Sequence, residues 1–123
     1  MKGNIPTELG LLTSLEFLFL PNNIIFGTLP TTFNHLVNLR QMRLERNGLQ
    51  SPIPTSFFDM PKLEVLVLRT NRLDGTLPSE LGKMTSLKKV YLHQNYFTGT
   101  IPSTYGNLVK LGKLNLQSDL VYE

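Results

Sequence analysis

The chain is organised on one fixed interval, the spacing that separates Pro6 from Pro30. Prolines recur at this repeat interval along the whole sequence: Pro6, Pro30, Pro54, Pro78 and Pro102. Asparagines keep the same interval and an aspartate takes the next place: Asn23, Asn47, Asn71, Asn95 and Asp119. A fixed period of roughly 20 to 50 residues is typical of solenoids and other repeat architectures. This repeat constrains the fold more than any other feature of the sequence.

Seven positions within each repeat are apolar in every copy. In the unit of residues 60–83 they are Met60, Leu63, Leu66, Leu68, Leu73, Leu77 and Leu81. Hydrophobic residues make up 41% of the chain, so chance does not produce such columns. Because stacked repeats bury their cores against their neighbours, the columns predict one continuous interior.

Each unit also predicts its own local structure. Apolar side chains alternate around Leu66 and Leu68, which predicts a short strand with these two leucines inward and Val67 outward. One such strand per coil means that consecutive strands pair in parallel. The amide of Asn71 can both donate and accept at the turn that follows, whereas an ionised Asp119 only accepts. The stretch 78–84 begins with a proline, as helical and 3₁₀ turns often do.

The repeated motif resembles the plant-type class of leucine-rich repeat. It has the form L-x-x-L-x-L-x-x-N-x-L-x-G-x-L-P in residues 63–78. The resemblance covers the whole chain, as a partial repeat 1–11, full repeats 12–35, 36–59, 60–83 and 84–107, and a partial repeat 108–123. It implies an α/β solenoid, a right-handed superhelix with a parallel sheet on its concave face and short helical or 3₁₀ turns on its convex side. It also implies a second short strand at the Thr-Gly-Thr segments.

The sequence departs from this pattern in one repeat and at its ends. Ser51 and Pro52 replace the Gly-x of the motif. Serine does not reach positive φ without strain and proline lacks a backbone donor, so we expect a distorted and weakly paired second strand there. The family's cysteine-containing caps are missing. We therefore expect a fragment of a longer array, with apolar end residues exposed to water: Leu9, Leu12, Leu15, Leu114, Leu116 and Val121.

Residues for catalysis, cofactor binding or metal binding are not predicted. The sequence contains no cysteine and two histidines, and His35 falls on the convex turn whereas His93 falls on the concave strand. Glu8 and Glu80 both lie at the start of a convex turn, where a negative charge is mildly favourable without any catalytic role. The chain is therefore predicted not to be an enzyme and to need no cofactor.

The outward side of the strands carries the positive charge. Five basic residues lie there against Glu45 alone, a net charge of +4, whereas the formal net charge of the whole chain is +3. Protein interfaces are enriched in aromatic and arginine side chains at their energetic centres. We predict that this concave face binds a partner through the following residues: Phe17, Phe19, Arg43, Arg46, Val67, Arg69, Lys89, Tyr91 and His93.

The resulting functional hypothesis is a non-catalytic module that binds a protein or peptide, with acidic or carboxylate-bearing partners favoured by the arginines. Similar repeats form the extracellular domains of receptor-like kinases and receptor-like proteins, and cell-wall enzyme inhibitors. This implies an extracellular or cell-surface location, although the sequence shows no signal peptide, membrane span, cysteine or glycosylation sequon. The alternative is a structural spacer whose binding site lies elsewhere in a longer array. Nucleic-acid binding is not expected because the basic residues are diluted by apolar ones.

Overall fold

The computed structural model describes residues 1–116 and the backbone of residues 119–122. Short strands and 3₁₀ helices (η) alternate along the chain in a repeating order. The elements are β1 (Lys2–Asn4), η1 (Thr7–Leu11), β2 (Phe17–Phe19), β3 (Ile24–Gly27), η2 (Thr31–His35), β4 (Gln41–Arg43), β5 (Gly48–Ser51), η3 (Thr55–Phe58), β6 (Val65–Val67), β7 (Arg72–Leu73), η4 (Ser79–Lys83), β8 (Lys89–Tyr91), β9 (Thr98–Ile101), η5 (Ser103–Asn107), β10 (Lys113–Asn115) and β11 (Asp119–Tyr122).

One strand from each coil enters a five-stranded parallel sheet in the order β10-β8-β6-β4-β2. Neighbouring strands pair with a shift of one repeat, so that Leu18 lies beside Met42, Met42 beside Leu66 and Leu66 beside Val90. The repeat interval of the sequence is therefore the register of this sheet. Its outward surface is the concave face.

Each repeated proline stands directly before a 3₁₀ helix, as the sequence predicts. The φ angles of these prolines lie between −72° and −60°, the range that the pyrrolidine ring imposes. The helices carry Glu8 and Glu80 in their first turns. They form the convex side of the solenoid, opposite the five-stranded sheet.

The repeated asparagines bond each coil to the preceding one. Asn71 accepts from the Leu49 amide at 3.0 Å and donates to the carbonyl oxygens of Leu44 and Leu68, both at 3.0 Å. Asn47 and Asn95 make the same set of bonds one coil away on either side. Both roles of the amide, donor and acceptor, are filled at a turn where the backbone cannot reach water. The side chain of Asp119, which was expected to cap less well, lies outside the described residues.

The apolar columns meet in one continuous core. Residues from every coil contribute to it, and Leu39, Leu63 and Leu87 are completely buried. The columns are less covered at the ends, where Leu12 is 49% and Leu114 41% exposed as expected, whereas Leu9, Leu15 and Leu116, also expected to be exposed, are partly buried against the core. The side chain of Val121 lies outside the described residues.

A second parallel sheet runs beside the first one, and it is interrupted. Strands β1, β3, β5 and β7 pair in that order, whereas β9 pairs with β11. The prediction for Ser51 and Pro52 is confirmed: Ser51 is held at φ 71°, and β5 shares two residue pairs with each neighbour. The distortion extends into the next coil, where β7 has two residues and Thr76 meets Thr98 in an isolated bridge.

Candidate functional site

The register of the five-stranded sheet sets the outward side chains of the concave face in two columns. One column runs Phe17, Gln41, Val65, Lys89 and Lys113, and the other runs Phe19, Arg43, Val67, Tyr91 and Asn115. Parallel strands lie about 4.8 Å apart, so side chains in one column are direct neighbours. The face therefore presents its residues as two ordered rows.

Aromatic rings and an arginine contact one another along these rows. Phe17 and Phe19 are each about half exposed, and their ring centroids lie 6.0 Å apart. The Arg43 guanidinium carbon lies 5.7 Å from the centroid of the Phe19 ring, within reach of a cation–π interaction. Toward the other end of the same face, the rings of Tyr91 and His93 are perpendicular, and their centroids lie 6.2 Å apart. These contacts hold the side chains in place before any partner arrives.

The centre of the face is apolar and covered, which corrects one part of the sequence prediction. Val67 lies between Arg43 and Tyr91 in register, but 3% of its surface is exposed, and Val65 is similarly buried at 8%. The register neighbours of Val65 are Gln41 and Lys89, and those of Val67 are Arg43 and Tyr91. Val67 is therefore a buried residue of the face, and it offers a partner almost no surface of its own.

A third column, just beyond the strands, contains Glu45, Arg69 and His93 at equivalent places in consecutive coils. Glu45 is 8% exposed, and its Oε2 has no hydrogen-bond partner among residues 1–116. The Nδ1 atom of His93 is likewise buried and unpaired within the described part of the chain. Burial, and then the Arg69 charge, lower the pKa of His93 below its usual value. The neutral imidazole is thus favoured beside a fixed guanidinium.

The residues after each strand are held in left-handed backbone conformations. Asn22, Arg46, Thr70 and Gln94 have φ angles between 56° and 58°. This geometry costs a non-glycine residue roughly 1–2 kcal/mol, and the asparagine that follows fixes it with its hydrogen bonds. Thr70 donates its hydroxyl to the Gln94 side chain at 2.6 Å. Arg46 is exposed at this corner, between the concave face and the second sheet.

Among the described residues, no group of three His, Cys, Asp or Glu side chains could hold a metal ion. His35 lies at the end of η2 and is exposed, whereas His93 lies beside the concave sheet. Burial and the nearby Glu80 raise the pKa of Tyr105, and its hydroxyl donates to the Pro78 carbonyl at 3.0 Å. Tyr105 is therefore a structural residue of the convex side. No helix in the described part of the chain is long and apolar enough to cross a bilayer.

Models of the leucine-rich repeat match residues 13–73 and residues 86–108. The chain belongs to the plant-type leucine-rich repeat family.

Solved leucine-rich repeat structures are closely similar to this chain. The ectodomain of the Arabidopsis thaliana membrane receptor kinase GASSHO1/SCHENGEN3, in complex with CASPARIAN STRIP INTEGRITY FACTOR 2, is 35% identical over 97% of this chain and 14% of its own, with a TM-score of 0.94. The Arabidopsis receptor kinase HAESA, in complex with the peptide hormone IDA and the co-receptor SERK1, is 30% identical over 97% of this chain and 20% of its own, with a TM-score of 0.92.

A plant ice-binding protein is also similar, with 32% identity over 97% of this chain and 39% of its own and a TM-score of 0.88. No curated protein has a matching sequence. This leucine-rich repeat chain thus spans between 14% and 39% of the length of these three relatives. Because the same fold occurs in receptors and in an ice-binding protein, function has to be argued from the surface side chains.

The sequence placed the leucine-rich repeat strands and their outward residues on one face, but it missed two features of that surface. The first is the burial of Glu45, which the alternation pattern assigns to the exposed side. The second is a groove at Gly48, beside the second sheet. A signal for the groove is visible in the sequence, because the other full repeats carry Ile24, Arg72 and Tyr96 at the place of this glycine.

Proposed function

We propose that this chain is a non-catalytic binding module whose concave face takes a protein or peptide partner that is acidic or carries a free carboxylate. The observation that carries the proposal is the placement of two arginines along one face: Arg43 lies on the sheet beside Phe19, and Arg69 lies just beyond the end of β6. Guanidinium groups bind carboxylates through two parallel hydrogen bonds. The sheet fixes the backbone of Arg43, and the hydrogen bond from the Arg46 amide to the Arg69 carbonyl fixes that of Arg69, so less entropy is lost on binding.

The apolar centre of the face supports this role. Val65 and Val67 are buried apolar residues at the centre of the face. A charge pair formed above such apolar residues is screened less than one in bulk water. The exposed rings of Phe17 and Phe19 extend the surface toward the first coil and offer contact area for the apolar side chains of a partner.

His93 adds a dependence on pH to the proposed site. Burial and Arg69 lower its pKa, so the unbound face carries a neutral imidazole near pH 7. An anionic partner beside His93 would favour the protonated form. Binding is therefore expected to strengthen as the pH falls through the usual pKa of histidine.

The similar structures support the class of partner and the compartment. GASSHO1/SCHENGEN3 and HAESA are receptor kinases, crystallised with CASPARIAN STRIP INTEGRITY FACTOR 2 and with the peptide hormone IDA. By this likeness we place the chain outside the cell or at the cell surface, in a receptor-like or inhibitor-like protein. We also propose that the chain is not an enzyme.

The test is a binding measurement with a charge-reversed face. The variant Arg43→Glu with Arg69→Glu removes both proposed carboxylate contacts. The probe is a ten-residue peptide of alternating aspartate and glycine with a free carboxyl terminus, measured by titration calorimetry at 50 mM salt. We expect at least a tenfold rise in Kd for the variant, with an unchanged circular dichroism spectrum.

The matched control is Lys83→Glu with Lys110→Glu, which changes the net charge equally on exposed residues away from the concave face. Its Kd should stay within threefold of the original. Equal losses in the two double variants would mean that net charge, rather than the face, attracts the peptide. An unchanged Kd in the concave variant would favour the alternative role, a structural spacer in a longer array.

A further inference from the structure

A groove of about 380 Å³ lies beside the second sheet, around the corner from the concave face. Its sides are formed by Ile24 and Phe26 of β3 and by Arg46 and Arg72, and Gly48 lies between them. The volume is within the range of roughly 300–1,000 Å³ that is usual for ligand pockets. None of the residues named in the concave site except Arg46 lines it.

The groove exists because a side chain is missing at Gly48. In the second sheet Phe26 pairs with Gly48, so one flank of the phenylalanine ring has no neighbouring side chain. Phe26 is 47% exposed and Ile24 is 65% exposed. These are large apolar side chains that the fold leaves in water, side by side on one strand. Contiguous exposed apolar surface of this kind marks interaction sites.

Two positive charges flank the apolar part. Arg46 and Arg72 are both exposed, and no carboxylate is among the residues that line the groove. The remaining polar lining is made of the neutral amides Asn23, Asn47 and Gln50. Charge complementarity therefore requires an anionic occupant, and the exposed phenylalanine and isoleucine require that the occupant also carries an apolar side chain.

We propose that this groove is a second binding site for a peptide segment in which an acidic residue stands next to an aliphatic or aromatic one. The carboxylate lies between the guanidinium groups of Arg46 and Arg72, and the apolar side chain lies over Gly48 against Phe26. The site goes beyond the concave face, and Arg46 at the corner belongs to both surfaces. A nucleic acid is the poorer fit, because two cations beside Ile24 and Phe26 do not form the basic stripe that tracks a phosphate backbone.

A larger side chain at Gly48 can fill the groove without a new backbone conformation. A Cβ at Gly48 would lie 3.3 Å from the Ile25 carbonyl oxygen and 3.7 Å from the Phe26 Cβ, so a side chain fits after a small shift. Ile24 occupies the equivalent place of another repeat. The variant Gly48→Ile therefore fills the groove with a residue that this fold already uses there. The variant Arg72→Glu reverses one of its charges and leaves the backbone alone.

The experiment uses an acetylated and amidated octapeptide of alternating glutamate and leucine, so that no free terminal carboxylate is present. Amide chemical shifts of the whole chain are followed during titration. We expect the largest shifts at residues 23–26, 46–50 and 72, and at least a tenfold rise in Kd for both Gly48→Ile and Arg72→Glu. The concave variant Arg43→Glu with Arg69→Glu should raise the Kd less than threefold, which separates this site from the proposed concave one.

Several results would overturn the inference. Shifts confined to the concave face would remove the groove as a site, and so would a Kd that neither groove variant changes. Tighter binding of an octathymidine strand than of the peptide would assign the groove to nucleic acid instead. If Gly48→Ile lowers the unfolding midpoint, Arg72→Glu still decides, because its substituted side chain is exposed.

Discussion

The two parallel sheets of this chain come from the same repeat, yet one is continuous and the other is divided. In the five-stranded sheet every neighbouring pair shares three residues in register with the repeat interval. In the second sheet, Phe26 pairs with Gly48 and Gln50 with Arg72, a register shorter than the repeat interval, and β7 shortens to two residues. The first sheet therefore tolerates variation between repeats that the second does not.

The difference follows from what holds each sheet. The strands β2, β4, β6 and β8 of the first sheet bury Leu18, Met42, Leu66 and Val90 in the core, and the asparagines bond the turns after these strands to the preceding coil. Strands of the second sheet depend on a residue with positive φ, which is glycine at Gly3, Gly27, Gly75 and Gly99. Ser51 takes that conformation at a cost, and Pro52 offers no donor. Several apolar residue types can be buried in the core, whereas only glycine adopts a positive φ without strain.

The largest expected effect is the loss of an asparagine that holds the first sheet. Asn71→Ala leaves the buried Leu49 amide without its acceptor, and it removes one of the two asparagine donors from each of the Leu44 and Leu68 carbonyls. We expect a loss of about 1–3 kcal/mol in the free energy of unfolding, measured by urea denaturation.

The matched control for this variant is Asn38→Ala. Asn38 donates to the Thr13 carbonyl in an exposed position, so water can replace the bond, and the loss should be clearly smaller. A variant Asn71→Ala as stable as the original chain would show that the asparagines do not hold the coils together.

A smaller effect is expected from repair of the second sheet. Ser51→Gly together with Pro52→Thr restores the Gly-Thr step found in the neighbouring repeats. The Asp74 amide donates to the Ser51 carbonyl at a long 3.4 Å, and the repaired strand should strengthen this bond. A gain of about 1 kcal/mol, the usual net value of one hydrogen bond, corresponds to a roughly fivefold slower hydrogen exchange at Asp74.

The Thr98 amide serves as the internal reference for this measurement. It already donates to Gly75 at 2.9 Å, so its exchange should change little. If exchange at Asp74 stays as fast after the repair, the residue types at 51 and 52 do not cause the interruption.

The smallest effect concerns pH. The pKa of His93 is lowered in the fold by burial and by Arg69, so the unfolded chain binds the proton more strongly. Stability therefore falls as the pH is lowered through the unfolded pKa of about 6.5, and levels off below the folded pKa. His93→Gln should reduce this part of the dependence between pH 5 and 7.5. Equal curves for His93→Gln and the original chain would contradict the assignment.

The sequence predicts the first sheet better than the second for the same physical reason. Leu66, Asn71 and Pro78 stand for three positions that recur at the repeat interval. They are the buried core residue, the asparagine of the turn and the proline before the 3₁₀ helix. Pairing in the second sheet follows a shorter interval, so an alignment of the repeats sets Phe26 beside Gln50 rather than beside Gly48. The alignment shows the missing side chain at Gly48, but it does not show that Gly48 lies beside Phe26.

Burial on the concave face was also beyond the sequence pattern. Alternation assigns Val67 and Glu45 to the outward side, which is correct for the backbone. Whether an outward side chain meets solvent depends on the length of its neighbours in the adjoining coils. Arg43 and Tyr91 stand on either side of Val67 in the sheet.

The central claim is that equivalent apolar side chains of successive coils stack on one another in a single interior. Nuclear Overhauser contacts between leucine methyl groups test this most directly, because Leu44, Leu68 and Leu92 are buried at the same place of consecutive repeats. The account predicts cross-peaks from the Leu68 methyls to those of both Leu44 and Leu92, as coils about 4.8 Å apart require. Their absence in the folded chain would contradict it.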